Sequence, residues 1–309
     1  MFQRSLNILF LLLLFGCSNE IEIGPEPHPT NEVPVPIEIL PKWIEATKTT
    51  VESFTASNAV QIGIMGTSGT DIIYRGISPS GIDETTQHLL FKNPPLVYPT
   101  NNHSVTLTGY YPTLSNNGTS YTLDDSGLLH FTLTGDEDLM YAPSVEAGNK
   151  SNPTPVHLNF VHKLTCIKFK LINEITGDLP DGLITLSTTG PSSGTLDLHS
   201  GTLTANGLQS TFTLPTHLNA STLAKSTETE VNGELLLIPS TAAAPQDYAF
   251  KLSIDNIDYT IQIDNTHKPE WKEGISYTLT ITIKGLTPST KGDETPASYN
   301  KTGIQGTIA

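Results

Sequence analysis

Ser276-Tyr277-Thr278-Leu279-Thr280-Ile281-Thr282-Ile283-Lys284 decides the fold class. Tyr277, Leu279, Ile281 and Ile283 recur at period two while Ser, Thr and Lys fill the alternate positions, which predicts a strand with one buried and one wet face. Just upstream, Leu252 and Ile254 lead into Asp255-Asn256, after which Ile257, Tyr259, Ile261 and Ile263 resume the alternation. That pattern predicts a hairpin closed by a two-residue turn. Similar runs occupy 60–64, 105–111, 128–133, 164–171, 183–187, 211–214 and 235–238, separated by Gly, Pro, Asn and Asp. No long amphipathic helical period competes with them, so the chain reads as all-β.

A length of 309 residues accommodates two domains of ordinary size. The polar stretch 141–154, with Gly148, Asn149, Lys150, Ser151 and Asn152, is the natural internal boundary. It divides the strand-rich region into an N-terminal sandwich, 41–154, and a C-terminal sandwich, 155–285, each with room for about seven strands. A tail, 286–309, follows.

At the other end, Arg4 precedes an apolar run from Leu6 to Phe15 that stops at Gly16-Cys17. A charged start, a short apolar core and a small residue before the cut describe a secretory signal, 1–16. A Cys directly after that cut is a site for thioether linkage to diacylglycerol, so Cys17 is the candidate lipidation site. The run falls short of the ~20 apolar residues that span a bilayer, and no later segment reaches that length. The lipid is then the expected anchor, and the outer membrane the expected partner surface. From residue 17 to 40 the chain is rich in Pro and Glu and reads as an extended tether. Its last part, 33–40, alternates enough to form a first strand.

The net charge of −15 disfavours a nucleic-acid partner. Cys17 and Cys166 are the only cysteines, and a lipidated Cys17 leaves no disulfide framework, so apolar cores must hold the domains. Cys166, within Leu164-Thr165-Cys166-Ile167, reads as a small buried hydrophobe.

Several strings, in their order, resemble the fimbrillin family, subunits and relatives of type V pili. Ala59-Val60-Gln61-Ile62-Gly63-Ile64 resembles its first core strand, and Val105-Thr106-Leu107-Thr108-Gly109-Tyr110-Tyr111-Pro112 its aromatic strand ending in Tyr-Pro. Asp138-Leu139-Met140-Tyr141-Ala142, followed by Leu158-Asn159-Phe160-Val161-His162-Lys163-Leu164, resembles its Phe-x-His-x-Leu block. Leu237-Ile238-Pro239 and Trp271-Lys272-Glu273-Gly274-Ile275-Ser276-Tyr277 resemble its last core strands. The resemblance implies two tandem transthyretin-like β-sandwich domains, export as a surface lipoprotein, and a structural, anchoring or accessory role in a fimbria that serves cell adhesion. It also implies assembly with other fimbrial subunits by strand exchange: proteolysis after a basic residue removes the first strand, and a neighbour's strand fills the groove.

Where the family commonly has an arginine after the first strand, this chain has Lys42 and Lys48, which become the candidate processing sites. Beyond Arg4, Arg75 is the only arginine, and it follows the first core strand. In the tail, Ile304 and Ile308 are the candidate donor-strand plugs. An uncut chain that keeps its lipid would suit a basal anchor or a non-polymerising lipoprotein that binds a glycan or protein on a host or bacterial surface.

No catalytic constellation emerges. His157 and His162 lie five apart on a predicted strand and face opposite sides, without a third ligand at usable spacing. Asp124-Asp125 and Asp136-Glu137-Asp138 lack the glycine and terminal Glu of a calcium loop and read as solvated turns. No nucleophile elbow or phosphate loop is present. The reading is of a protein that is not an enzyme and needs no metal or cofactor. Tyr110, Tyr111, Trp271 and Tyr277 sit in strand patterns and read as core.

Overall fold

The computed structural model describes residues 33–43, 54–92, 94–113, 120–240, 248–261, 270–285 and 304–308. Among them the chain is nearly all β, the helical exceptions being the single turn Ala56–Ala59 and the 3-10 turn Ala220–Thr222. The chain divides into two units, Met1–Pro34 and Val35–Ala309, and the sheets belong to the second.

Its first large sheet runs in the order Ile39–Trp43, Val156–His162, Met140–Asn149, Val105–Tyr111, Gly63–Ser68, Asp71–Ile77. One face of it, with Ile62, Ile64, Leu107, Val156, Leu158 and Phe160, builds an apolar cluster that Leu96, Tyr98 and Phe54 complete. A second cluster, which extends to Met65, Tyr110 and Tyr141 of the first sheet and to Leu129, Phe131 and Leu196, lies between two further sheets. One is ordered Glu228–Leu237, Thr165–Asn173, Ser276–Ile283, Ile304–Ile308; the other is Gln209–Thr213, Leu183–Pro191, Ala249–Ile254, Ile257–Thr260. Phe169 from the former and Phe250 from the latter meet edge to face, ring centroids 5.9 Å apart, which makes these two sheets the layers of a sandwich.

The local reasons are visible in the sequence. Leu279, Ile281 and Ile283 are fully buried, but Thr280 and Thr282 are buried as well and Tyr277 only partly, so the expected wet face does not hold over the second half of this strand. Asp255 and Asn256 both take positive φ, 49° and 66°, the geometry that lets a two-residue turn follow the twist of its strands.

Two further expectations need correction. The predicted first strand at 33–40 lies further on, at Ile39–Trp43. Pro34 and Pro36 have no amide to give to a ladder, so the residues around them are held by isolated bonds instead. The stretch 141–154 is not a surface connection over most of its length. Met140–Asn149 is a strand between Val105–Tyr111 and Val156–His162, with Tyr141, Ala142 and Ala147 buried. Its polar half keeps Pro143, Ser144 and Glu146 exposed, and Gly148 at φ 75° permits the turn back to Asn152–Pro153.

Pairing also crosses residue 155. Val156–His162 belongs to the first sheet, and Leu128–Thr132 pairs antiparallel with Ser193–Asp197.

Candidate functional site

The leading segment is bonded on both of its sides, at different places along it. The Tyr98 amide donates to the Val35 carbonyl at 2.9 Å and the Ile37 amide donates to the Leu96 carbonyl at 3.1 Å. Further on, the Val156 amide donates to the Glu38 carbonyl at 2.9 Å, and Ile39–Trp43 then runs parallel to Val156–Phe160. Ile37 and Ile39 are buried, Val35 packs against the same cluster, and Pro36 and Glu38 between them are exposed. Val35, Ile37 and Ile39 are therefore three plugs spaced by two in one apolar groove. At about 1.5 to 3 kcal/mol per buried aliphatic side chain, they hold the segment with an energy on the order of 5 kcal/mol.

Among the described residues the segment is the last strand in its sheet order. Beside it a cavity of about 220 Å³ is walled by Val35, Pro36, Glu38, Tyr98 and residues 153–155. Tyr98 closes the inner wall: its hydroxyl donates to the Ala147 carbonyl at 2.6 Å and accepts from the Thr154 amide at 3.3 Å. Burial pushes its pKa above the ordinary tyrosine value.

Lys42 is exposed within the leading strand, opposite Asn159 in the register. Cys17 and Lys48 lie outside the described residues. At the far end, Ile304–Ile308 runs parallel to Ser276–Ile283 within the same chain, with Ile304 opposite Leu279 and Ile308 opposite Ile283. The two ends of the strand-rich region thus each form a border strand, in different sheets and both in parallel pairing. Arg75 lies inside Asp71–Ile77 and pairs with Asp125 at 2.6 Å.

The polar residues weighed in the sequence fall into structural places. His162 is buried and bonds Asp138, Nδ1 to Oδ2 at 2.8 Å. Asp138 is consequently not part of a solvated turn, contrary to the expectation from its acidic neighbours: it is buried where Met140–Asn149 and Val156–His162 meet. Nothing local in the sequence pairs residues 24 apart, so only the fold could bring these two together. Lys163, also buried, pairs with Glu273 and lies 5.6 Å from the centre of the Tyr141 ring. Asp124 stays in a turn, where the His130 ring and the Leu128 and Ser126 donors hold its carboxyl well below the usual range. Cys166 is buried, and burial first, with the Glu234 carboxylate adding, pushes its thiol up to about 12. Tyr110, Tyr111 and Trp271 are buried core residues. Among the described residues no three His, Cys, Asp or Glu side chains are grouped to hold a metal.

A family model described as fimbrillin-like matches residues 47–300. The chain belongs to the fimbrillin-like family. The matched region stops short of both border strands, Ile39–Trp43 and Ile304–Ile308. No curated protein matches this fimbrillin-like chain. Among solved structures it is similar to a protein described as a candidate cell adhesion protein from Bacteroides uniformis ATCC 8492, with 19% identity, a TM-score of 0.55, and 83% of this chain and 94% of that one covered. It is similar also to one so described from Bacteroides ovatus ATCC 8483, with 18% identity, a TM-score of 0.53, and 86% and 99% covered. At those identities the likeness is one of fold. The fimbrillin-like chain covers nearly the whole of both structures.

Proposed function

We propose that this fimbrillin-like protein is a structural, anchoring or accessory subunit of a fimbria, exported as an outer-membrane lipoprotein on Cys17 and contributing to cell adhesion without catalysis. The observation that carries this reading is the leading segment. It presents Val35, Ile37 and Ile39 to one groove, forms the border of its sheet, and lies outside the family-matched core. A segment held that way is replaceable by a neighbour's strand offering the same spacing, with backbone bonds supplying affinity and alternate pockets the register.

The processing sites differ in consequence. A cut after Lys42 would fall inside Ile39–Trp43 and leave Trp43 behind, whereas a cut after Lys48 would release the strand whole. Lys48 is the better site on that ground. Arg75 is a poor one, since a cut there divides the border strand Asp71–Ile77. The two-domain division stays part of this reading, although Met65, Tyr110, Phe131 and Tyr141 from the first half join the apolar cluster built around Phe169 and Phe250.

Mass spectrometry of protein recovered from cells, with gel analysis of protease-treated protein, tests the proposal. Acylated Cys17 in one population, and a new end after Lys48 in chains forming detergent-resistant ladders, is the expected result. Ladders that never form after a cut at Lys42 or Lys48 overturn strand exchange. One observation favours a non-polymerising lipoprotein instead: Ile304–Ile308 pairs with its own chain, so both border positions are filled from within. A population carrying only acylated, uncut Cys17 would support that second reading.

A further inference from the structure

An open groove of about 590 Å³ lies on the polar face of the sheet formed by Glu228–Leu237, Thr165–Asn173 and Ser276–Ile283. Its floor carries Lys168, Lys170 and Thr278, whose strand neighbours Phe169, Leu171 and Leu279 point the other way into the core. Glu230, Asn232 and Glu234 form one side, and Asp136 and Pro215 contribute from neighbouring turns. The volume falls within the roughly 300–1,000 Å³ of small-molecule sites.

The strand that supplies this side is irregular at the groove. Lys168 is opposite Glu234, but Phe169 is opposite Val231, so Asn232 and Gly233 are looped out of an otherwise regular antiparallel ladder. A two-residue insertion keeps the side-chain alternation in phase on both sides of it. Gly233 has φ 95°, which suits glycine, and the bulge abuts Leu214 and Thr216, on either side of Pro215. Bulges of this kind re-aim side chains beside binding sites.

The charges in the groove select the ligand. Lys168 pairs with Glu234 at 3.6 Å, and Lys170 pairs with Glu228 at 2.6 Å and Glu230 at 3.5 Å. An anionic ligand must break these pairs and approach a chain of net charge −15. A ligand of hydroxyl groups need not break them. Each carboxylate has about four acceptor positions; these pairs use Oε2 of Glu234, which also accepts from the Cys166 thiol at 3.2 Å, and Oε1 of Glu230. The Asn232 amide and the Thr278 hydroxyl both donate and accept, as a sugar hydroxyl does.

We propose that this groove binds a neutral oligosaccharide. The inference rests on the adhesive part of the function proposed above and adds its ligand class and its place. Saturation-transfer NMR and titration calorimetry on the whole mature chain test it, with maltotetraose, mannotetraose, cellotetraose and lacto-N-tetraose as neutral probes and a hyaluronan tetrasaccharide as the anionic one. At least one neutral probe should bind, with a dissociation constant on the order of 1 mM or tighter. The double variant Glu230→Ala with Asn232→Ala alters exposed side chains and should weaken that binding tenfold or more. Deleting Asn232 and Gly233 together should abolish it while preserving the melting transition. No binding by any neutral probe, unchanged binding in the variants, or preference for hyaluronan overturns the proposal. So does a deletion that causes self-association with sugar binding intact, which would make the bulge a guard of the sheet border. Ladder formation is read separately, so failure here leaves strand exchange standing.

Discussion

Ile39 of the leading strand lies directly opposite Val156 in a parallel ladder, and both side chains are fully buried in one apolar cluster. The pair joins a segment outside the family-matched residues 47–300 to a strand within them. Ile39→Ala should therefore cost the intact chain about 2 to 4 kcal/mol, the range for removing a buried aliphatic side chain. Denaturant unfolding would measure it. Val33→Ala, at a residue 78% exposed, should stay within about 0.5 kcal/mol.

Much of the fold was readable along the chain because strands with one wet face betray themselves by alternation. Thr165–Asn173, where Lys168, Lys170 and Ile172 are less buried than Ile167, Phe169 and Leu171, and the turn at Asp255-Asn256 are of that kind, whereas Ser276–Ile283 buries Thr280 and Thr282 along with its apolar residues. Met140–Asn149 was not, since its Gly148 and Asn149 carry turn chemistry although its neighbours on both sides are strands. The leading strand was displaced for a different reason. Its partners, Leu96 to Tyr98 and Val156 to Phe160, are remote in sequence, and the prolines decide only where it cannot bond. The His162–Asp138 pair and the groove around Asn232 depend likewise on long-range register, which local pattern does not encode.

Gly63 occupies its strand because Tyr110 covers it. A Cβ there would sit 2.1 Å from Tyr110 Cζ. Gly63→Ala should lose about 1 to 3 kcal/mol by overpacking. Combining it with Tyr110→Ala should cost less than the sum of the two single changes, because the smaller neighbour frees the space. A double-mutant cycle from unfolding curves checks both statements.

Asp138 and His162 form a buried pair between two strands of the first sheet. Asp138→Ala takes a buried acceptor away from the imidazole, and the expected loss is about 1 to 3 kcal/mol. Replacing both residues by apolar ones of similar size, Asp138→Leu with His162→Phe, should cost less than Asp138→Ala alone. Thermal unfolding of the two variants beside the unaltered protein at one pH makes the comparison, and a double variant less stable than Asp138→Ala would overturn the expectation.

Alkaline pH should unfold this protein from within its core. Burial raises the Cys166 thiol to about 12 and the Tyr110 hydroxyl to about 12, and pushes Tyr121 and Tyr248 above their ordinary value as well. Unfolding restores ordinary values near 9 for the thiol and 10 for the phenols. Over the interval between those values and the raised ones, the unfolded chain holds fewer protons than the folded one. Stability is therefore fully present below about pH 9 and falls as pH rises toward 12. Absorbance at phenolate wavelengths, followed with circular dichroism, should show these tyrosines ionising together with loss of structure. Cys166 should react with a thiol reagent at pH 8 far more slowly in the folded protein than in urea, because both the thiolate and access to it are suppressed. Equal rates in the two states would place the thiol at the surface and remove it from the core.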